Sequence, residues 1–217
     1  MRSLYKIMHT TCHNQWGSSE KRIFNESIWM EKNGHKIIIV APKDTPLFLK
    51  AKEHGLKVYD LEFKRLSIIR DYKFLKHLLH NEKPDVITAH GTRDARIALY
   101  AAQKNRVPLR ILSQQNSTKI RNSWLNRVIY KKLSHYIFTT DDGTKNHLKK
   151  VFKLNGMQIF SIPDGIIEPE PLPGKSEAQQ VKKTRDHVRK HHTIDAMGRD
   201  IIRIYRLHQV KLDRQYL

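Results

Sequence analysis

Cysteine is almost missing from this sequence. Cys12 is the only one, so no disulfide forms within the chain and a reducing compartment is its natural setting. Long apolar runs are missing too. Nowhere do eighteen apolar residues follow one another, and the apolar run near Leu4, Tyr5, Ile7 and Met8 is too short for a secretory signal, so any membrane contact is expected to be peripheral. Acidic residues are scarce: 21 Asp and Glu face 41 Lys and Arg, a formal charge of +20. That excess favours an anionic partner, whether nucleic acid, anionic lipid or a phosphorylated substrate. After Ile162 the chain holds 11 basic and 8 acidic residues, so most of the excess lies before that point.

Nucleotide and metal signatures are also lacking. Gly17 stands alone in Gln15, Trp16, Gly17, Ser18 and Ser19, where a dinucleotide fingerprint needs three glycines. Gly174, Lys175 and Ser176 echo the end of a P-loop, but Pro169 occupies the place of its first glycine. His187 and His191 share a helical face that Asp195 extends, yet nothing nearby offers a further ligand or an orienting group, so a solvated basic helix is expected and no metal. No helix-turn-helix, RNA-recognition signature or zinc-ligand spacing accompanies the positive charge. A non-catalytic basic module binding nucleic acid is therefore the second reading, with nucleic acid the less expected partner.

What is present is a regular alternation. A chain of 217 residues with 39% hydrophobic content buries one sizeable core. Strands are predicted at residues 4–8, 36–41, 56–63, 86–89, 108–112, 136–140 and 157–162, the third as a sheet-edge strand. Helices are predicted from Ser18 or Ser19 to Asn33, over 46–54, from an Asp71 cap to Asn81, and over 93–103, 123–133 and 144–152. This predicts a single Rossmann-like, doubly wound, mostly parallel α/β sheet over residues 1–165, with helices on both faces. Residues 166–192 read as a linker and charged segment, rich in proline at its start. Residues 193–217 form a tail in which Ile194, Met197, Ile201, Ile204 and Tyr205 are spaced as one amphipathic helix.

Pro84 opens the central strand, and His90, Arg93 and Asp94 follow it at the carboxyl edge, where ligands of open α/β sheets gather. Two roles stand open for His90, a hydrogen-bonded structural histidine or a ligand contact. Two stand open for Gly17 and Ser18 as well: a tight strand-to-helix turn, or a loop whose amides hold a phosphate or a sugar hydroxyl. Two basic, apolar stretches are candidate membrane contacts: Lys64, Arg65, Ile68 and Ile69, and residues 119–133. In the latter, Ile120, Trp124, Leu125, Val128 and Ile129 share a broad face edged by Arg127 and Lys131. Such a surface suits anionic lipid; the alternative is that these apolar residues are core.

Four segments in order carry a resemblance. They are Gln15-Trp16-Gly17-Ser18-Ser19-Glu20-Lys21-Arg22, then Asn33-Gly34-His35-Lys36 leading into Ile37-Ile38-Ile39, then Pro84-Asp85-Val86-Ile87-Thr88-Ala89-His90, and Ile162-Pro163-Asp164-Gly165-Ile166. Together they resemble the N-terminal, acceptor-binding half of family-four glycosyltransferases, retaining enzymes of the GT-B architecture. The resemblance implies that the loop matching Trp16, Gly17 and Ser18 borders the cleft near donor phosphate and acceptor, and that the strand-end histidine matching His90 contacts the transferred sugar. Arg93 and Asp94 would help to position substrate. It also implies a nucleotide-sugar donor, a glycolipid or polysaccharide acceptor, no required metal, and a cytoplasmic protein at the inner face of the cell membrane. The chain departs from the pattern in two places: Ser18 replaces a second loop glycine, and Asp164 stands in the familiar Pro-Asn-Gly. The family's donor domain, with two glutamates eight residues apart, has no counterpart after Pro163. A donor domain lost or supplied by a separate partner is expected, and little activity from this half alone. The last helix resembles the family helix that returns to pack on the N-terminal domain.

Overall fold

The computed structural model describes residues 4–115, 120–165 and 193–215. The linker and charged segment expected at 166–192, with its P-loop echo and histidine row, lies outside the described residues. The chain divides into two compact units, Met1–Ser161 and Ile162–Leu217.

In the first unit, β1 (Lys6–Thr10), β2 (Lys36–Ala41), β3 (Lys57–Asp60), β4 (Val86–Ala89), β5 (Leu109–Ser113), β6 (Tyr136–Thr139) and β7 (Ile159–Ser161) form one sheet. The order is β3-β2-β1-β4-β5-β6-β7, with every pairing parallel. Between the strands run α1 (Ser18–Lys32), α2 (Pro46–Glu53), α3 (Ile68–Glu82), α4 (Thr92–Lys104), α5 (Trp124–Val128) and α6 (Asp142–Phe152). The Rossmann-like, doubly wound α/β architecture is therefore the one predicted, and its order reverses between β1 and β4. Central strands of such a sheet are covered on both faces and so read as continuous apolar runs. Met8 pairs with Ile38 on one side and Ile87 on the other, and all three are buried together with Val40, Leu75 and Leu79. The buried stripe of α4 contains Ala95, Ala98, Ala101 and Ala102, small side chains that let the helix approach its neighbours closely.

Several boundaries differ from expectation for physical reasons. The first strand runs two residues later than predicted, so His9 lies in β1 and is fully buried rather than in a polar loop. Gly17, not Ser18 or Ser19, occupies the N-cap of α1, where the Glu20 carboxylate accepts from its N–H at 2.8 Å. Ser67, not Asp71, takes the N-cap position of α3; Asp71 lies a turn inside, buried, accepting from the Ser67 hydroxyl at 2.7 Å. The predicted helix over 123–133 is α5 followed by a π-helical turn at Ile129–Leu133. Lys83 adopts a left-handed conformation at φ 46° to end α3, and Pro84 prevents its resumption.

In the second unit, α7 (Ile194–Gln215) extends well past Tyr205, the last residue of the expected apolar stripe. Thr193 starts it, its hydroxyl accepting from the Ala196 N–H at 3.1 Å as an N-cap does. Gly165 lies against that start: its N–H meets the Met197 sulfur at 3.3 Å, and a Cβ there would fall 2.5 Å from the Ile194 Cα.

Candidate functional site

In a parallel sheet all strand-to-helix loops emerge on one edge, and the crevice opens where the strand order reverses. Here the loop after β1, residues 11–17, and the turn after β4, His90 and Gly91, flank that reversal. The two loops touch. A Cβ on Gly91 would lie 3.3 Å from His13 Nε2, 3.4 Å from Cys12 Sγ and 2.6 Å from Asp94 Oδ1. Only glycine leaves room there.

The predicted residues fare differently. His90 stands at the carboxyl end of β4, 5% exposed, with Nε2 3.0 Å from His9 Nδ1. Gly17 is half-buried and Ser18 exposed at the start of α1, on the same sheet edge as His90, while Arg93 is exposed in the first turn of α4. Asp94, expected to help to position substrate, is held inside the fold. It is completely buried: Oδ2 accepts from the Thr10 hydroxyl at 3.0 Å and from the His90 N–H at 3.1 Å. Its carboxyl clasps β1 to the turn after β4, because an open carboxylate at this depth would go unpaired. Burial pushes its pKa up to about 6, against the opposing pull of the Thr10 hydroxyl.

The amide of Gly17, offered by the sequence to a phosphate or a hydroxyl, is already held by Glu20. Glu20 is buried and reaches His13 Nδ1 at 2.7 Å with its other oxygen. Ser19 donates from its hydroxyl to Gln115 Oε1 at 2.8 Å, tying α1 to the end of β5. A carboxylate at this corner disfavours a phosphate but suits a hydroxyl donor.

Behind His90 runs a buried polar line that sequence reading missed. His9 Nε2 lies 4.0 Å from Glu26 Oε1, and Glu26 Oε2 lies 4.0 Å from Arg22 Nε. All four groups are buried. Burial first, and then the Arg22 charge, lowers the His9 pKa to about 4. Burial followed by His9, Arg22 and His13 holds His90 well below the usual histidine range. Both imidazoles are neutral at neutral pH. Cys12 is half-buried, and burial followed by the Asp94 charge pushes its thiol up to about 11, so it is protonated and a poor nucleophile. The signal for this line was the i, i+4 pair Arg22 and Glu26 on the same helix face as the core residues Ile23 and Met30.

The two candidate membrane stretches also lie on the carboxyl edge, since each follows a strand. Ile68 and Ile69 are exposed, Ile69 to 73%, and Leu66 fully so. With Ser67, Arg70 and Lys73 they line an open depression of about 820 Å³. Lys64 is exposed and paired with Glu62, and Arg65 precedes Leu66 in a short 3-10 turn. In the other stretch Trp124 is 71% exposed, Leu125, Arg127 and Lys131 are also exposed, but Ile129 is buried. The single face expected there is thus divided. The π-helical turn sends Ile129, Tyr130 and Leu133 into the core, and only the first turn of α5 stays bare. Lys119 lies outside the described residues. Among the described residues no helix is long and apolar enough to cross a membrane, and no cluster of three or more His, Cys, Asp or Glu is placed to hold a metal.

Comparison with known proteins gives three kinds of likeness. The family profile described as Glycosyltransferase Family 4 matches residues 19–167. The UDP-N-acetylglucosamine-N-acetylmuramyl-(pentapeptide) pyrophosphoryl-undecaprenol N-acetylglucosamine transferase of Oenococcus oeni is 35% identical over 99 residues, which cover 45% of this chain and 26% of that protein. Among solved structures, a glycosyltransferase from Rickettsia africae superimposes with a TM-score of 0.67 at 15% identity, covering 90% of this chain and 50% of that one. HepE of Anabaena in complex with UDP-glucose gives 0.63 at 11% identity, over 85% of this chain and 50% of that one. At such identities the likeness is one of fold. The chain spans about half the length of these solved relatives and about a quarter of the Oenococcus protein.

Proposed function

The chain belongs to glycosyltransferase family 4, and from that premise we propose that it is the acceptor-binding half of a retaining, sugar-nucleotide-dependent glycosyltransferase acting on a membrane glycolipid or polysaccharide intermediate. One observation carries the reading. The loop bearing Gly17 and the strand-end His90 meet at the reversal of a parallel sheet, where this architecture gathers ligands. In the complete enzyme His90 binds the transferring sugar. Gly17 and Ser18 border the entering substrate, where Glu20 holds the Gly17 amide and His13 in place. Arg93, exposed on the same edge, provides a positive charge for the departing diphosphate. Stabilising that developing charge is the main electrostatic task of such a reaction. This half by itself transfers sugar weakly; a second domain or a separate partner supplies the donor site. No metal is assigned a role.

The acceptor is brought by the membrane. Leu66, Ile68 and Ile69, with Lys64, Arg70 and Lys73 around them, and Trp124 with Arg127 and Lys131, present apolar tips among cations on the sheet edge that holds the crevice. Apolar side chains entering the acyl boundary while cations meet anionic headgroups is the physics of a peripheral contact. On this reading the protein works at the cytoplasmic face of the cell membrane. Co-sedimentation tests this with vesicles of phosphatidylglycerol, the same vesicles carrying a lipid-linked oligosaccharide, and vesicles of phosphatidylcholine. Binding to the first above the third, increased by the oligosaccharide, is the expected result. Equal binding to charged and neutral vesicles, or preferential capture by duplex or single-stranded nucleic acid at physiological salt, overturns the reading.

A further inference from the structure

We propose that His9 is a positioning residue that fixes the tautomer of His90, leaving His90 Nδ1 as a bare acceptor for a ligand hydroxyl. The sugar half of this proposal rests on the function proposed above; the tautomer does not. The His9 and His90 rings lie 5.2 Å apart between centroids at 39°, joined by the 3.0 Å contact of Nδ1 to Nε2. Both rings are neutral, so a single proton lies between them and the partner of each outer nitrogen decides which ring donates. The outer nitrogen of His9, Nε2, faces Glu26 Oε1 at 4.0 Å. That is too long for a hydrogen bond, but a buried carboxylate draws a proton toward itself and repels a lone pair. His9 therefore carries its proton on Nε2 and accepts through Nδ1. His90 donates from Nε2, and its Nδ1, which is buried and has no hydrogen-bond partner, holds only a lone pair.

Charged groups on the surrounding elements agree with this assignment. On α1, Arg22 lies at the far side of Glu26 and opposes a positive charge on either ring. His13 is engaged by Glu20, and Asp94 is engaged by Thr10 and by the backbone of His90 rather than by its ring. Neither supplies a competing proton. The consequence is specific: His90 accepts from a hydroxyl and cannot donate to a phosphate or carbonyl oxygen through Nδ1. A ligand meeting it there presents an O–H, as a sugar does, and a deoxy analogue lacking that group loses the contact.

The test is the nitrogen-15 spectrum of the imidazole rings in the uniformly labelled 217-residue chain at neutral pH. His90 is expected to show a pyrrole-type Nε2 and a pyridine-type Nδ1, and His9 the same pattern. A protonated Nδ1 on His90, or averaging between its tautomers, overturns the proposal. In Glu26→Gln the side-chain amide removes the bias, so His90 moves toward the Nδ1-protonated or averaged form. A His90 signature unchanged in Glu26→Gln overturns the relay from α1. If the tautomer is as assigned but free glucose, added at high concentration so that the donor site is not needed, leaves His90 Nδ1 unperturbed, the sugar half falls and the positioning role stands.

Discussion

Thr10 and Asp94 are joined by a buried hydrogen bond, the Thr10 hydroxyl donating to Asp94 Oδ2 at 3.0 Å. The contact crosses the reversal of the sheet, from the last residue of β1 to the first turn of α4. The same oxygen accepts from the His90 N–H, so one carboxyl ties the end of β1 to the turn after β4.

That carboxyl makes stability depend on pH in an unusual direction. Burial raises the Asp94 pKa to about 6, above an unfolded value of about 3.9. The folded chain thus holds the proton more tightly, and the contribution is complete below about pH 4 and lost as pH rises through about 6. A shift of about two units corresponds to roughly 3 kcal/mol. In Asp94→Asn the amide oxygen still accepts from Thr10 and His90 but does not titrate. Urea unfolding of both proteins between pH 4 and 7 should show the variant gaining on the wild type by up to that amount; parallel pH curves would count against a raised pKa at this buried carboxyl.

Gly91→Ala is expected to destabilise for steric reasons alone. The backbone at Gly91 has φ −144°, open to any residue, but the added methyl would sit 2.6 Å from Asp94 Oδ1, the second oxygen of a carboxyl whose Oδ2 is fixed by Thr10 and by the His90 N–H. Overpacking of this kind costs roughly 1–3 kcal/mol. A calorimetric midpoint unchanged from wild type would show that the Asp94 carboxyl does not crowd Gly91.

Ile69→Glu separates membrane contact from stability. Ile69 is 73% exposed, and surface substitutions away from special features change stability by about 0.5 kcal/mol or less. Binding to phosphatidylglycerol vesicles is expected to fall several-fold, since an acid replaces an apolar tip among cations. Undiminished binding would remove this patch from the membrane contact.

The architecture was legible because apolar runs repeat. Ile37 to Val40 and Val86 to Ala89 read as strands without tertiary knowledge, and the structure places both where expected. The site was legible only in part. His90, Gly17 and Asp94 are marked by their position after strands, but the clasp that Asp94 makes is not, because its partner, Thr10, is 84 residues away in sequence. His9 was assigned to a loop since a histidine in a central strand contradicts the apolar pattern; only His90, 81 residues on, and Glu26 make it tolerable. The face of α5 was misread because the turn at Ile129–Leu133 abandons the 3.6-residue period on which amphipathic reasoning depends. The cap at Asp141, which accepts from the Thr144 N–H at 2.7 Å, was visible in principle, since Asp is among the strongest N-cap residues.

Gly165 offers a test of the second unit by itself. It ends the segment Ile162, Pro163, Asp164 and Gly165, and its N–H meets the sulfur of Met197 in the first turn of α7. A Cβ added there would stand 2.5 Å from the Ile194 Cα and 2.8 Å from its nitrogen. Those are backbone atoms, so no rotamer change relieves the clash, and either the segment lifts or the helix start moves. The second option breaks the Thr193 cap, whose loss in other helices costs about 1 kcal/mol. Gly165→Ala is therefore expected to speed hydrogen exchange at Ala196 and Met197, the amides that bond to Thr193. Amides in the middle of α7, held by the helix itself, should change little. Equal exchange at Ala196 and Met197 in both proteins would mean that Gly165 does not lie against the helix start.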